Sequence, residues 1–172
     1  QQKIKTYKPL LSEVFDSVKT YCKMQAVPFP DFNIEIKSEV PHDNIFTPSV
    51  PEFCELVVSE ILLNKMQDHC IIQSFDIRVL KYLHNTYPSI RLALLSEEIN
   101  DFNKIKETLG FLPSIYSPAK ELVTKILINA CHKRNIQIIP WTVNDIKEIN
   151  QLIAWGVDGI ISDYPDRIVI AK

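Results

Sequence analysis

What most constrains this 172-residue chain is the regular exchange of short, largely apolar runs with segments of helical periodicity, and no hairpin signal such as Asn-Gly joins any two of the runs. Phe32 to Ile36, Cys70 to Gln73, Arg91 to Leu95 and Ile136 to Trp141 have strand length, and Gly159 to Ser162 reads as a last strand. Ser114 to Tyr116 is a weaker extended segment. Between them, Leu11, Val14, Phe15, Val18, Tyr21 and Cys22 recur at helical spacing, as do Phe53, Leu56, Val57 and Ile61, and then Leu80 and Leu83. Asn103 to Leu109 is a short helix closed by Gly110. A stronger one, carrying Ile126, Leu127 and Ala130, starts at either Ala119 or Thr124. The last helix carries Ile146, Ile149 and Ile153, with Asn144 as its expected N-cap and Gly156 at its C-terminal end. Strands joined by helical crossovers are parallel and covered on both faces, which is why the runs are continuous rather than alternating. The expectation is a single α/β domain built on a parallel sheet.

Composition narrows the function. Lys and Arg number 19 against 21 Asp and Glu, so no broad basic field exists to hold nucleic acid by charge. No apolar stretch approaches the roughly 18 residues of a membrane span, and Gln1 to Lys5 does not read as a signal peptide. Only three glycines occur, Gly110, Gly156 and Gly159, so neither a P-loop nor a dinucleotide fingerprint is present. Cys22, Cys54, Cys70 and Cys131 form no CxxC unit and are expected to be buried free thiols.

In parallel α/β folds ligands sit at the carboxyl ends of the strands. After the first run comes Glu35-Ile36-Lys37, in which alternation puts Glu35 and Lys37 on one face. An acid and a base so placed suit a metal ion and a substrate phosphate, or else each other as a buried ion pair. Trp141, at the end of its run, is either a stacking platform or a core residue, and Trp155 is a packing residue of the last helix. Ser74 lacks the glycines of a nucleophile elbow. Asp163, before Tyr-Pro, is expected to hold its own turn. Of the histidines, His69 precedes a strand, His84 and His132 lie on helices, and only His42 falls on the ligand side. None is positioned as a general acid or base. The proline-rich stretch from Ser38 to Pro51 has the length of a functional loop.

Four of these segments carry a family likeness. Asn33-Ile34-Glu35-Ile36-Lys37, Ile71-Ile72-Gln73-Ser74-Phe75-Asp76, Pro140-Trp141-Thr142-Val143-Asn144 and the run from Gly156 to Asp166 resemble, in order, motifs of the glycerophosphodiester phosphodiesterase family. The resemblance covers Leu10 to Asp166. It implies a TIM (β/α)8 barrel that hydrolyses glycerophosphodiesters to glycerol 3-phosphate and an alcohol with a divalent cation, Mg²⁺ or Ca²⁺. It makes Glu35 a metal ligand, sets Lys37 beside the phosphate, places Trp141 in the glycerol pocket and Phe75 in its wall. The family's final T-D-y-P-d reads Ser162-Asp163-Tyr164-Pro165-Asp166.

The family's opening H-R-G, E-N-T, E-x-D and H-D motifs, which carry both catalytic histidines and two further carboxylates, are not in this sequence. A TIM barrel takes about 250 residues. Residues 1–172 are therefore expected to be the C-terminal portion of one barrel domain, holding its later strand and helix units and inactive alone. Its expected partners are a small glycerophosphodiester and the missing N-terminal part of the same barrel, with no nucleic acid and no membrane span. The alternative is a half-barrel kept as a non-catalytic binding module. The compartment stays open, with export to the periplasm the direction in which the resemblance points.

Overall fold

The computed structural model describes residues 7–98 and 101–168. Strands and helices alternate as expected: α1 (Leu11–Gln25), β1 (Phe32–Glu35), α2 (Val50–Leu63), β2 (Cys70–Ser74), α3 (Ile77–Thr86), β3 (Arg91–Ser96), α4 (Phe102–Leu109), β4 (Ile115–Pro118), α5 (Lys125–His132), β5 (Gln137–Ile138) and α6 (Ile146–Trp155). Among the described residues the strands form one parallel sheet in the order β1-β2-β3-β4-β5. Sequential order with a helix after each strand winds the chain in one direction around the sheet, each crossover burying its apolar stripe on the strands it joins.

Register separates two faces. Ile34, Ile72 and Leu92 lie side by side, as do Leu94, Tyr116 and Ile138, and these residues face the helices. They join Val79, Leu80 and Leu83 of α3, Ile105 of α4, Ile128 of α5 and Ile149 of α6 in the main core. Each such side chain contributes about 1.5–3 kcal/mol when fully buried. The opposite face carries Glu35, Gln73, Ala93, Ile115 and Gln137 in one row. There Ile71, Ala93, Ile115 and Ile139 make a second, smaller apolar cluster.

Several helix faces lie slightly round from where the apolar spacing puts them. On α2 the buried positions are Val50, Cys54, Val58 and Ile61, while Leu56 is exposed. Ile126 of α5 and Ile146 of α6 also face solvent, because each falls in the first turn, on the side turned away from the sheet. The fifth helix begins at the Thr124 cap, whose hydroxyl accepts from the Leu127 N–H; Ala119 instead opens a short 3-10 turn, Lys120–Leu122. Asn144 is not the cap of α6. Asp145 is, accepting from the N–H groups of Lys147 and Glu148, and the Asn144 side chain is committed elsewhere.

Gly159 to Ser162 does not form the strand expected of it. The segment runs beside β5, with the Asp158 N–H donating to Ile138 and the Ile161 N–H to Pro140, while the Val143 N–H donates to Ile161. Between these bonds one side advances two residues and the other three, and Pro140 has no N–H to return, so a regular ladder cannot continue. Gly159 lies against Ile139: a Cβ there would stand 3.4 Å from its side chain, an ordinary contact.

The four thiols are free and buried, as expected. Burial pushes Cys54 and Cys131 up to about 12 and Cys70 up to about 11, far from a nucleophilic thiolate. No helix among the described residues is long and apolar enough to cross a membrane.

Glycine scarcity shows in the helix ends. Gly110 and Gly156 close α4 and α6 at φ 86° and 90°, but Ala26 after α1 takes the same left-handed region at φ 51°. Ala26→Gly is expected to stabilise the fold by up to about 1 kcal/mol, and Gly156→Ala, whose new Cβ meets nothing within 4 Å, to destabilise it by about 1–2 kcal/mol through backbone strain alone. Urea unfolding midpoints of the two variants check both signs.

Candidate active site

The residues singled out at strand ends converge at the carboxyl edge of the sheet. Glu35 ends β1 and Lys37 follows two residues later on the same side; Lys37 Nζ donates to Glu35 Oε1 at 2.7 Å. The pair is not buried: the lysine side chain is 78% exposed and the carboxylate 23%. The ion pair expected as one alternative forms, but without the burial expected of it, and the ammonium is paired yet open to solvent. Together with Ser38, Ser74, Phe75 and Glu97 they line one open recess.

Phe75 and Trp141 meet edge to face, with ring centroids 5.3 Å apart. They follow β2 and β5, three strand spacings apart, or roughly 14 Å along a flat sheet. Curling of the sheet towards the Glu35 face closes that gap. Trp141 is held in place by its ring N–H, which donates to the Ser117 carbonyl at 2.8 Å, and by a backbone bridge to Ala119. It is half-buried, with neither the full burial of a core residue nor free rotation.

Each backbone that carries these side chains is anchored. The Ser74 hydroxyl donates to the Ile36 carbonyl at 2.7 Å and accepts from the Asp76 N–H at 3.1 Å, so Phe75 projects from a turn pinned on both sides. Asp76 caps α3, accepting from the Arg78 N–H at 2.9 Å. The Arg78 guanidinium also bonds the Asp76 carboxylate through Nε and Nη2, and reaches Asp43, in the loop after β1, through Nη1 and Nη2. This loop is ordered internally: the N–H groups of Ile45, Phe46 and Thr47 all donate to the His42 carbonyl. On the other side of the mouth, Asn144 Oδ1 accepts from the Ser162 hydroxyl and the Asp163 N–H, and its amide donates to Asp163 Oδ2. Asp163 thus does not hold its own turn; the Ser162 hydroxyl does, accepting from the Tyr164 N–H.

The histidines have structural partners. His42 lies 3.6 Å from Glu39 and edge-on to Phe46, His69 beside Asp31, His84 stacked on Phe111, and His132 Nε2 3.0 Å from Asp158. Trp155 packs against the core rather than the recess.

A cation fits this residue set only in part. A hard divalent ion takes six or more oxygens, Glu35 offers one carboxylate, and among the described residues no three His, Cys, Asp or Glu side chains group as metal ligands. Glu97, the Arg78 clamp and the Asn144 bridge were not foreseen from the sequence. Asp76 directly before a helix, the position of an N-cap, is the one local signal that could have found part of the clamp.

With this geometry in view, comparison with known proteins is specific. A profile of the glycerophosphoryl diester phosphodiesterase family matches residues 2–167, and the chain belongs to that family. It is 30% identical to a glycerophosphodiester phosphodiesterase of Bacillus altitudinis, over 94% of this chain and 61% of that protein. To one of Caldanaerobacter subterraneus it is 27% identical, over 94% and 60%. A phosphodiesterase structure from Oleispira antarctica, solved with the product sn-glycerol-3-phosphate, superposes with a TM-score of 0.74 at 18% identity, covering 93% of this chain and 59% of that one, a likeness of fold. The chain spans about six-tenths of the length of these relatives.

The clamp has a pH signature. Hydrogen bonding from Arg78 holds Asp43 below its ordinary value of 3.8. A carboxylate lowered in the folded state stabilises at pH above that ordinary value and loses its contribution as pH falls through the lowered one. Asp43→Asn should therefore be less stable than the parent at neutral pH, the gap narrowing below about pH 4; urea midpoints measured across pH 2–7 check it.

Proposed function

We propose that this chain contributes the later strand and helix units of a TIM-barrel enzyme that hydrolyses glycerophosphodiesters to glycerol 3-phosphate and an alcohol. The observation that carries the reading is the convergence of Glu35, Lys37 and Phe75 in one recess, with Trp141 against Phe75, in a chain of this family. Five sequential parallel strands, curled towards those residues, match a barrel from which the units preceding α1 would supply the rest.

In this reading Lys37 holds a phosphodiester oxygen as a point charge, its long flexible stem suiting an anion that must enter and leave. Phe75 and Trp141 give the glycerol moiety an apolar wall and exclude water from one side of it. Glu35 contributes one carboxylate to a Mg²⁺ or Ca²⁺ ion, completed by groups outside the described residues; such an ion, when bound, neutralises phosphate charge. While the substrate is absent, the Glu35 and Lys37 side chains neutralise each other. None of the four histidines here is assigned to proton transfer, which in this reading would fall to barrel units preceding α1.

The test is release of glycerol 3-phosphate from glycerophosphodiesters by the full-length protein. Glu35→Ala should lower the rate at least about a hundredfold and Lys37→Ala should lower kcat/KM about 10–100-fold, the worth of a charge-assisted hydrogen bond. Chelation of divalent ions should abolish turnover. Full activity in Glu35→Ala would remove that residue from the site, and a folded but silent wild type would favour the non-catalytic module.

A further inference from the structure

We infer that Arg78 is a positioning residue for the site: one guanidinium that clamps the β1–α2 loop to the start of α3 and so sets where Lys37 and Phe75 stand. The inference rests on the glycerophosphodiester reading of the recess, and concerns a side chain that lies outside it.

The geometry of Arg78 is that of a bridge rather than of a ligand. Nε lies 3.0 and 3.1 Å from the two Asp76 oxygens and Nη2 2.6 Å from Oδ2, while Nη2 also lies 3.2 Å from Asp43 Oδ1 and Nη1 faces Asp43 Oδ2. Two carboxylates thus occupy the fork, and the Ser38 hydroxyl lies 3.5 Å away. Little donor capacity is left for a phosphate, although arginine is the residue that a phosphate site would ordinarily recruit. The guanidinium is engaged by two carboxylates of the fold, which leave no positive charge over, and the cation serves geometry.

What it joins explains the role. Asp43 sits in the loop that begins at Lys37, and Asp76 follows Phe75 directly. Ser74 ties the same two strand ends by its bond to the Ile36 carbonyl, between Glu35 and Lys37. Arg78 therefore closes a circuit: β1 end, loop, guanidinium, α3 cap, β2 end. Lys37 itself is 78% exposed and, among the described residues, pairs with Glu35 alone, so that carboxylate and the Lys37 backbone set where its ammonium stands. A clamp on that backbone narrows the search and preserves binding geometry. Lysine at position 78 would keep the charge yet cannot span two carboxylates as a planar fork does.

The experiment compares Arg78→Gln, Arg78→Lys and Asp43→Asn in the full-length protein, with glycerophosphocholine as substrate and amide hydrogen exchange as a second readout. For both Arg78 variants KM should rise about tenfold while kcat stays within about threefold, with Asp43→Asn behaving alike and the Arg78→Gln/Asp43→Asn double variant no worse than either single. Amides from Ser38 to Thr47 should exchange at least about tenfold faster, with those of β4 unchanged. A fall in kcat at constant KM, as from a smaller folded fraction, would overturn the inference, as would full rescue by lysine. If wild type does not turn over glycerophosphocholine, the proposed function fails and the exchange measurement decides the clamp: faster loop exchange supports it, and unchanged exchange overturns it.

Discussion

Everything in this molecule depends on the two-residue alternation of a parallel sheet that is covered on one side by helices. Because the strands align in register, the row Glu35, Gln73, Ala93, Ile115 and Gln137 is committed to one face as soon as Ile72, Leu94, Tyr116 and Ile138 are committed to the other. A slip of one residue in any strand would bury a polar group among the helices and eject a core side chain. The apolar driving force that packs the helices thus aims Glu35 and, by continuation, Lys37 into the recess, with no energy of their own required.

Polar residues then refine what burial has roughly placed. On the inner face Asn33 donates to Gln73 at 2.9 Å, satisfying two amides where the sheet carries no helix. At the carboxyl edge the bonds are made between loops: Ser74 to Ile36, Arg78 to Asp43 and Asp76, Ser117 to Ile139 and Asn144 to Ser162 and Asp163. At the amino edge Arg91 and His69 gather on Asp31, and Asp158 receives both the Ile138 N–H and His132. The two edges differ in consequence. One set of bonds closes the base of the sheet; the other surrounds an opening at which Lys37, paired with Glu35, stands exposed.

How much of this was legible depends on the length scale of the cause. The elements were read correctly where one local pattern decides them: Phe32 to Ile36, Cys70 to Gln73, and the helix closed by Gly110 all stand where periodicity and caps put them. The misreadings come from longer-range competition. Asn144 has the chemistry of an N-cap, but Ser162 and Asp163, 18 and 19 residues away, take its side chain and leave the cap to Asp145. Gly159 to Ser162 has strand composition, but Pro140 on its neighbour withholds the donor that a ladder needs. Leu56 fits an apolar stripe, yet the stripe that faces the core runs through Cys54 and Val58.

By itself the sequence determined the class of fold and set Glu35, Lys37, Phe75 and Trp141 at the carboxyl ends of its apolar runs, because alternation and motif order are local properties of the chain. Only tertiary structure decided how these side chains stand to one another: that Glu35 and Lys37 pair at 2.7 Å, that Phe75 meets Trp141 across the curl of the sheet, and that Arg78 binds two carboxylates 35 and two residues away in sequence. Contacts between residues far apart in the chain are set by how the sheet bends and how loops close, and those depend on the sum of the packing rather than on any one segment.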